Sequence, residues 1–263
     1  MNAHRGRRRY RAIWISDTHL GTRGCKIELL RDFLDNHEAD ELYLVGDIID
    51  FWRLKRSRFW NAAHNDVVRR TLKMARNGTR VVYVPGNHDE ALRSYGTLQL
   101  GNIHVVKEAV HECANGKKLL VIHGDEFDAV TRYARWLAVL GDWAYVLALW
   151  LNSHFNRARQ KLGYPYWSLS AYLKRKVKNA VEYISNFEEA LAHEARRRGV
   201  DGVVCGHIHH AEIREIDGIL YCNDGDWVES CTALVEHADG ALEIVRWHEP
   251  MPQASPLAID AAA

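Results

Sequence analysis

Five apolar, β-rich runs in this chain each end directly in a cluster of Asp, Asn, His and Gly, and that repetition limits the fold more than any other feature. The runs Ala12 to Ser16, Leu42 to Val45, Arg80 to Val84, Leu119 to Ile122 and Val203 to Cys205 read as buried strands. The clusters after them are Asp17-Thr18-His19, Gly46-Asp47-Ile48-Ile49-Asp50, Gly86-Asn87-His88-Asp89, His123-Gly124-Asp125 and Gly206-His207-Ile208-His209. In an open α/β sheet the strand ends on one side form a common crevice, so these sequence-distant groups are expected to converge there.

Helical periodicity fills the gaps between the first three runs. Lys26 to His37 carries Ile27, Leu30 and Leu34, and Asn61 to Arg76 carries Val68, Leu72 and Ala75, at the spacing of an apolar helix face. Strand, helix, strand, helix implies parallel crossovers. After Ile122 the pattern changes, and residues 129–198 read as an inserted helical cap rich in aromatic residues, among them Trp136, Trp143, Tyr145 and Trp150. The chain then returns to strands: Glu212 to Ile216, Leu220 to Cys222, Thr232 to Glu236 and Leu242 to Trp247. Asp217-Gly218 and Asp239-Gly240 are tight-turn dipeptides that predict an antiparallel layer here, and Asn115-Gly116 predicts an earlier hairpin. The expected organisation is a basic arm (1–10), one catalytic domain (11–128 and 199–250), the cap (129–198) and a loose tail (251–263).

Charge and cysteine usage narrow the function. Lys plus Arg (35) nearly balances Asp plus Glu (34), so bulk charge gives no reason to expect a nucleic-acid partner. The five cysteines are scattered and never form a Cys-x-x-Cys pair, which argues against a disulfide framework and a zinc knuckle and suits a reducing cytosol. The Arg-rich N-terminus passes at once into Ile13-Trp14-Ile15, with no apolar stretch of signal-peptide length.

The clusters supply oxygen and nitrogen ligands without thiolate, a set suited to divalent manganese, iron, zinc or magnesium. Two cations need a ligand that can bridge them, and Asp47 is the natural candidate. On extended backbone, residues i and i+2 point to one side, so Asp17 with His19, and His207 with His209, could each face one metal cluster.

In this order the motifs resemble those of the calcineurin-like metallophosphoesterases: Asp-x-His, Gly-Asp-x-x-Asp, Gly-Asn-His-Asp/Glu, His and Gly-His-x-His. The resemblance implies a two-sheet α/β sandwich flanked by helices. It implies that Asp17, His19, Asp47 and His209 hold one metal, and that Asp47, Asn87, His123 and His207 hold a second. Metal-activated water would then attack phosphorus. His88, beside Asn87, would stabilise phosphoryl charge or protonate the leaving oxygen, with Asp50 or Asp89 orienting it or a ligand.

Ser16-Asp17-Thr18-His19-Leu20, Gly46-Asp47-Ile48-Ile49-Asp50-Phe51-Trp52 and His123-Gly124-Asp125 before a helical cap are similar to the UDP-2,3-diacylglucosamine hydrolases of lipid A synthesis. That likeness implies a pyrophosphate substrate with a lipid moiety. The apolar stretch from Trp136 to Leu151, followed by Arg157, Arg159 and Lys161, fits a lipid with an anionic head and peripheral contact with the inner face of the cytoplasmic membrane. It is too short and interrupted to span a bilayer. One position departs from that family's pattern, because His88 stands where those enzymes usually have Arg. A phosphodiesterase or phosphatase acting on another nucleotide or phospholipid is the alternative. A Ser/Thr phosphatase would carry Arg-Gly after Gly-Asp-x-x-Asp, where this chain has Phe51-Trp52. A non-catalytic module of this fold would show broken ligand positions, and here every position is filled.

Overall fold

A computed structural model describes residues 8–127 and 184–247. The chain begins with β1 (Arg8–Ile15), α1 (Ile27–Asn36), β2 (His37–Val45), α2 (Phe51–Ser57), α3 (Ala62–Arg76) and β3 (Arg80–Val84). Short strands β4 (Leu98–Leu100), β5 (Ile103–Val105), β6 (Ala109–Glu112) and β7 (Lys118–Val121) follow. Beyond the undescribed residues come the helical stretch α4 (184–197), β8 (Gly202–Cys205), β9 (Glu212–Ile216), β10 (Ile219–Asn223), β11 (Thr232–Glu236) and β12 (Leu242–Arg246).

Two sheets form, one of seven strands in the order β12-β11-β1-β2-β3-β5-β4 and one of five in the order β6-β7-β8-β10-β9. Strands β1, β2 and β3 run parallel, as the strand–helix alternation requires, and β5 pairs parallel to β3. Alternate residues along each strand divide between two apolar layers, the signature of a sheet covered on both faces. Ile13, Ile15, Leu42, Leu44 and Val81 join Leu30, Phe33 and Leu34 of α1 and Val67 and Met74 of α3. Trp14, Tyr43, Val82 and Val84 point the other way and meet Leu119, Val121, Val204 and Cys222 between the sheets. The outer face of the small sheet buries Leu120, Val203 and Tyr221 against Phe187, Leu191 and Ala195 of α4. The result is helix, sheet, sheet, helix.

Several expectations shift. The buried residues of α3 are Ala63, His64, Val67, Arg70, Met74 and Ala75, whereas Leu72 is 51% exposed. Of the expected stripe Val68–Leu72–Ala75, Ala75 is buried and Val68 partly so, while Leu72 faces outward; Arg70 lies inward, and its Nε donates to the Leu34 carbonyl at 2.8 Å. The C-terminal strands do not make one antiparallel layer. The β9–β10 hairpin belongs to the small sheet, where β10 runs parallel to β8, while β11 and β12 extend the large sheet beside β1. Arg8 and Arg9 of the basic arm already pair with His37 and Glu38 as strand. Residues 184–197 fell within the expected cap, yet they pack into the catalytic core. The remainder of the cap, 129–183, lies outside the described residues, as does the tail. Among the described residues no helix is long and apolar enough to cross a membrane, and the five cysteines are free and buried.

Candidate metal centre

Parallel pairing aligns the cluster-bearing strand ends. Ile15 sits opposite Leu44 and Val45 opposite Val84, so the loops of Asp17, Asp47 and Asn87 leave one edge side by side. In the second sheet, Val121 sits opposite Val204, which brings His123 beside His207; their rings are 5.1 Å apart.

Side-chain geometry shows mutual convergence. His209 Nε2 lies 3.1 Å from Asp17 Oδ1, and His19 Nε2 lies 3.8 Å from the same oxygen. His123 Nε2 lies 3.5 Å from Asp47 Oδ1, while His19 Nε2 and His88 Nε2 each lie 3.9 Å from Asp47 Oδ2. The two Asp47 oxygens therefore face different imidazoles, an arrangement open to a bridging carboxylate. Ligand atoms of Asp17, His19 and His209 fall within 4.8 Å of one another, as do those of Asp17, Asp47 and His123, and those of His19, Asp47 and His88.

The backbone that achieves this is not extended. Asp17, His19, Asp47, His207 and His209 all have positive φ, between 46° and 71°. These pairs are therefore not presented by extended i and i+2 backbone; left-handed turns aim the side chains inward. Such conformations are costly for non-glycine residues and persist where surrounding contacts fix them. Here the contacts are visible: Asp17 N and His19 N donate to the carbonyls of Gly46 and Asp47, and Trp227 N donates to the Asp17 carbonyl. Close approach also demands Gly86, where a Cβ would stand 2.4 Å from Asp47 Oδ1 and 2.6 Å from the His123 ring.

The pocket suits cations. Asp17 Oδ1, Asn87 Oδ1 and His123 Nε2 are buried yet make no hydrogen bond, which fits atoms reserved for a metal. Burial pushes against charge on His123, but Asp47, Asp17 and Asp125 outweigh it and hold the imidazole at about 10. Burial likewise disfavours the Asp17 carboxylate, and the neighbouring His209 and the charge of His123 bring it below the usual range. Positive charge is what this cavity lacks.

Around these residues lies a supporting set. Asp50 Oδ1 caps α2 by accepting from Arg53 N at 2.7 Å and lies 3.1 Å from His88 Nδ1, while its Oδ2 lies 3.5 Å from His19 Nδ1. Asp89 does not touch His88. It clamps the Asp47 loop, accepting from Ile48 N at 2.9 Å, Gly86 N at 2.6 Å and the Tyr83 hydroxyl at 2.6 Å. His123 Nδ1 is 2.9 Å from the Val45 carbonyl, an arrangement that leaves Nε2 as the ligand atom.

Further side chains brace the centre from outside. Asp125 pairs with Arg93 through both oxygens, at 2.6 and 3.0 Å, and braces two loops. Trp227 is fully buried against Phe33, so it supports the site from below. Asp226 accepts from the backbone of Val228 and Glu229. Sequence reasoning gave no role to Trp52, whose half-exposed indole lies 4.4 Å from the His88 ring, or to Tyr83. The preceding Asp-x-x-Asp-Phe-Trp run was the only signal for Trp52. Trp136, Trp143, Tyr145, Trp150 and Arg157 lie outside the described residues.

The sequence matches the calcineurin-like phosphoesterase family model over residues 10–211. The chain belongs to this family and is a metal-dependent phosphohydrolase whose family chemistry uses divalent metals. Among its relatives, the UDP-2,3-diacylglucosamine hydrolase of Photorhabdus laumondii is 26% identical over 78% of this chain and 84% of its own length. The enzyme of that name from Porphyromonas gingivalis is 26% identical over 84% of this chain and 91% of its own. A solved Vps29 mutant from Entamoeba histolytica aligns over 89% of this chain and 97% of its own, at 16% identity and a TM-score of 0.43.

Proposed function

We propose that the chain is a two-metal hydrolase that cleaves the pyrophosphate of UDP-2,3-diacylglucosamine or a related lipid-linked phosphoester. The observation that carries the metal reading is Asp47: its two oxygens face His123 on one side and His19 with His88 on the other. Asp17, His19, Asp47 and His209 would hold one cation, and Asp47, Asn87, His123 and His207 the other. Divalent cations bound there, manganese first among manganese, iron, zinc and magnesium, would lower the pKa of the attacking water and neutralise phosphoryl charge.

The chain's own residues account for the remaining work. His88 Nε2 faces the centre while Asp50 Oδ1 lies 3.1 Å from Nδ1, and in this reading the imidazole turns Nε2 toward a phosphoryl or leaving oxygen. Its side chain is one-fifth exposed, which leaves it open to substrate. Trp52 forms an apolar wall directly beside it. Substrate class rests on the two hydrolases of that name, with about a quarter of positions identical over most of both chains. In this reading the aromatic cap from Trp136 to Trp150, edged by Arg157, receives the acyl chains, and the protein works at the inner face of the cytoplasmic membrane.

The test is release of UMP from UDP-2,3-diacylglucosamine by manganese-loaded protein, beside a small chromogenic diester. Hydrolysis of both is expected. Turnover of the diester alone would overturn the lipid assignment and, through His88, favour a different nucleotide or phospholipid substrate.

A further inference from the structure

Behind Asp17 lies a buried polar group that the metal reading leaves unused. Asp17 Oδ2 accepts from His207 N at 2.8 Å and from the Ser16 hydroxyl at 2.6 Å. The same hydroxyl lies 2.5 Å from Asp224 Oδ1 and 3.1 Å from the Gly225 carbonyl. Ser16 and Asp224 are 1% and 0% exposed. The space is closed by Gly206, where a Cβ would stand 2.2 Å from Ser16 Oγ and 2.5 Å from Asp17 Oδ2.

A serine hydroxyl has one hydrogen to give. Two carboxylate oxygens at 2.5 and 2.6 Å cannot both accept it, so one of the two contacts needs a hydrogen from the carboxyl side. Asp17 faces the imidazoles of His209 and His19 and must be anionic to hold a cation. The hydrogen therefore belongs to Asp224, whose charged neighbours here are Asp17 and His123. Its Oδ2 is buried without a hydrogen bond, a position far less costly for a neutral acid than for a carboxylate.

We propose that Asp224 and Ser16 are positioning residues: Asp224 donates to Ser16, Ser16 donates to Asp17 Oδ2, and the chain of hydrogen bonds keeps Asp17 Oδ1 turned toward the cation. The arrangement depends on Asp17 being a metal ligand. Asp224 itself is anchored at both ends of its backbone, by its N–H to the Cys205 carbonyl and by the Thr232 hydroxyl to its own carbonyl at 2.8 Å. Burial raises its carboxyl well above the ordinary range, in keeping with a donor.

The experiment is calorimetric titration of the metal-free, full-length protein with Mn2+, with thermal unfolding measured alongside. Ser16→Ala and Asp224→Ala should each weaken Mn2+ binding by about ten- to a hundredfold, the usual effect of losing a partner that orients a ligand. Asp224→Asn, whose amide can donate to Ser16 in place of the acid, should restore binding to within about threefold of wild type. A merely structural role would not separate Asn from Ala in metal affinity. Should Ser16→Ala fail to fold, Ser16→Cys, with its weak donor, replaces it. Wild-type affinity in the Ser16 variant overturns the relay, as does an Asp224→Asn protein that binds as poorly as Asp224→Ala. Wild-type affinity in Asp17→Asn would instead remove Asp17 from the ligand set, and the proposal with it.

Discussion

Asp47 carries more of the site than any other side chain, because one oxygen accepts from His88 N at 2.8 Å and faces His123 while the other faces His19 and His88 Nε2. Asp47→Ala should remove turnover of every phosphoester while the fold survives, since the residue packs among ligands and not in an apolar layer; circular dichroism and diester hydrolysis check this together. Asp50 acts one step further out. Asp50→Ala should lower kcat by about ten- to a hundredfold with a smaller change in KM, because it frees the rings of His88 and His19. The candidate ligands were legible as residue types at strand ends. Their presentation was not, since positive φ at five non-glycine positions is set by contacts between loops and leaves no local pattern.

At the level of elements, α1 and α3 were readable from apolar spacing, but the face of α3 only in part: Ala75 is buried as its spacing predicts, whereas Leu72 faces out and Arg70, a surface residue by type, lies inward. The observed face makes a direct prediction: Val67→Ala should cost about 2 kcal/mol of stability and Leu72→Ser less than about 0.5 kcal/mol, read from urea unfolding. The β1–β2–β3 core was equally plain. Strands β4 and β5, three residues each, are too short to show a period and went unread. Where α1 passes into β2, His37 is buried between Phe33, Tyr10 and Trp247, with Nδ1 2.7 Å from the Phe33 carbonyl. Burial, aided by Arg8, holds its pKa below the ordinary value, so the ring is neutral in the folded protein and readily protonated when unfolded. Its contribution to stability is full above the ordinary histidine pKa of about 6.5 and is lost as pH falls from there through the folded value. His37→Gln should lower the melting temperature at pH 8 and flatten its decline between pH 7 and 5. An unchanged slope would show that His37 does not titrate in this way.

Across the whole molecule, the two sheets meet so that loops from both supply one centre: Asp17, Asp47 and Asn87 from the large sheet, His123 and His207 from the small one. The division of the C-terminal hairpins between the sheets was hidden in the sequence, because Asp217-Gly218 and Asp239-Gly240 specify a turn and not the sheet its strands join. If the cap serves a lipid, Trp143→Asp should depress hydrolysis of the lipid substrate strongly and spare a small diester; equal loss on both would remove that role. The proposed mechanism turns on a pair of cations sharing Asp47, and metal stoichiometry of the manganese-reconstituted protein beside Asp47→Ala, with diester turnover in the same samples, tests it. Two ions per chain with turnover in wild type, and loss of metal and activity together in Asp47→Ala, is the predicted result. An Asp47→Ala protein that keeps two ions and full activity would contradict it.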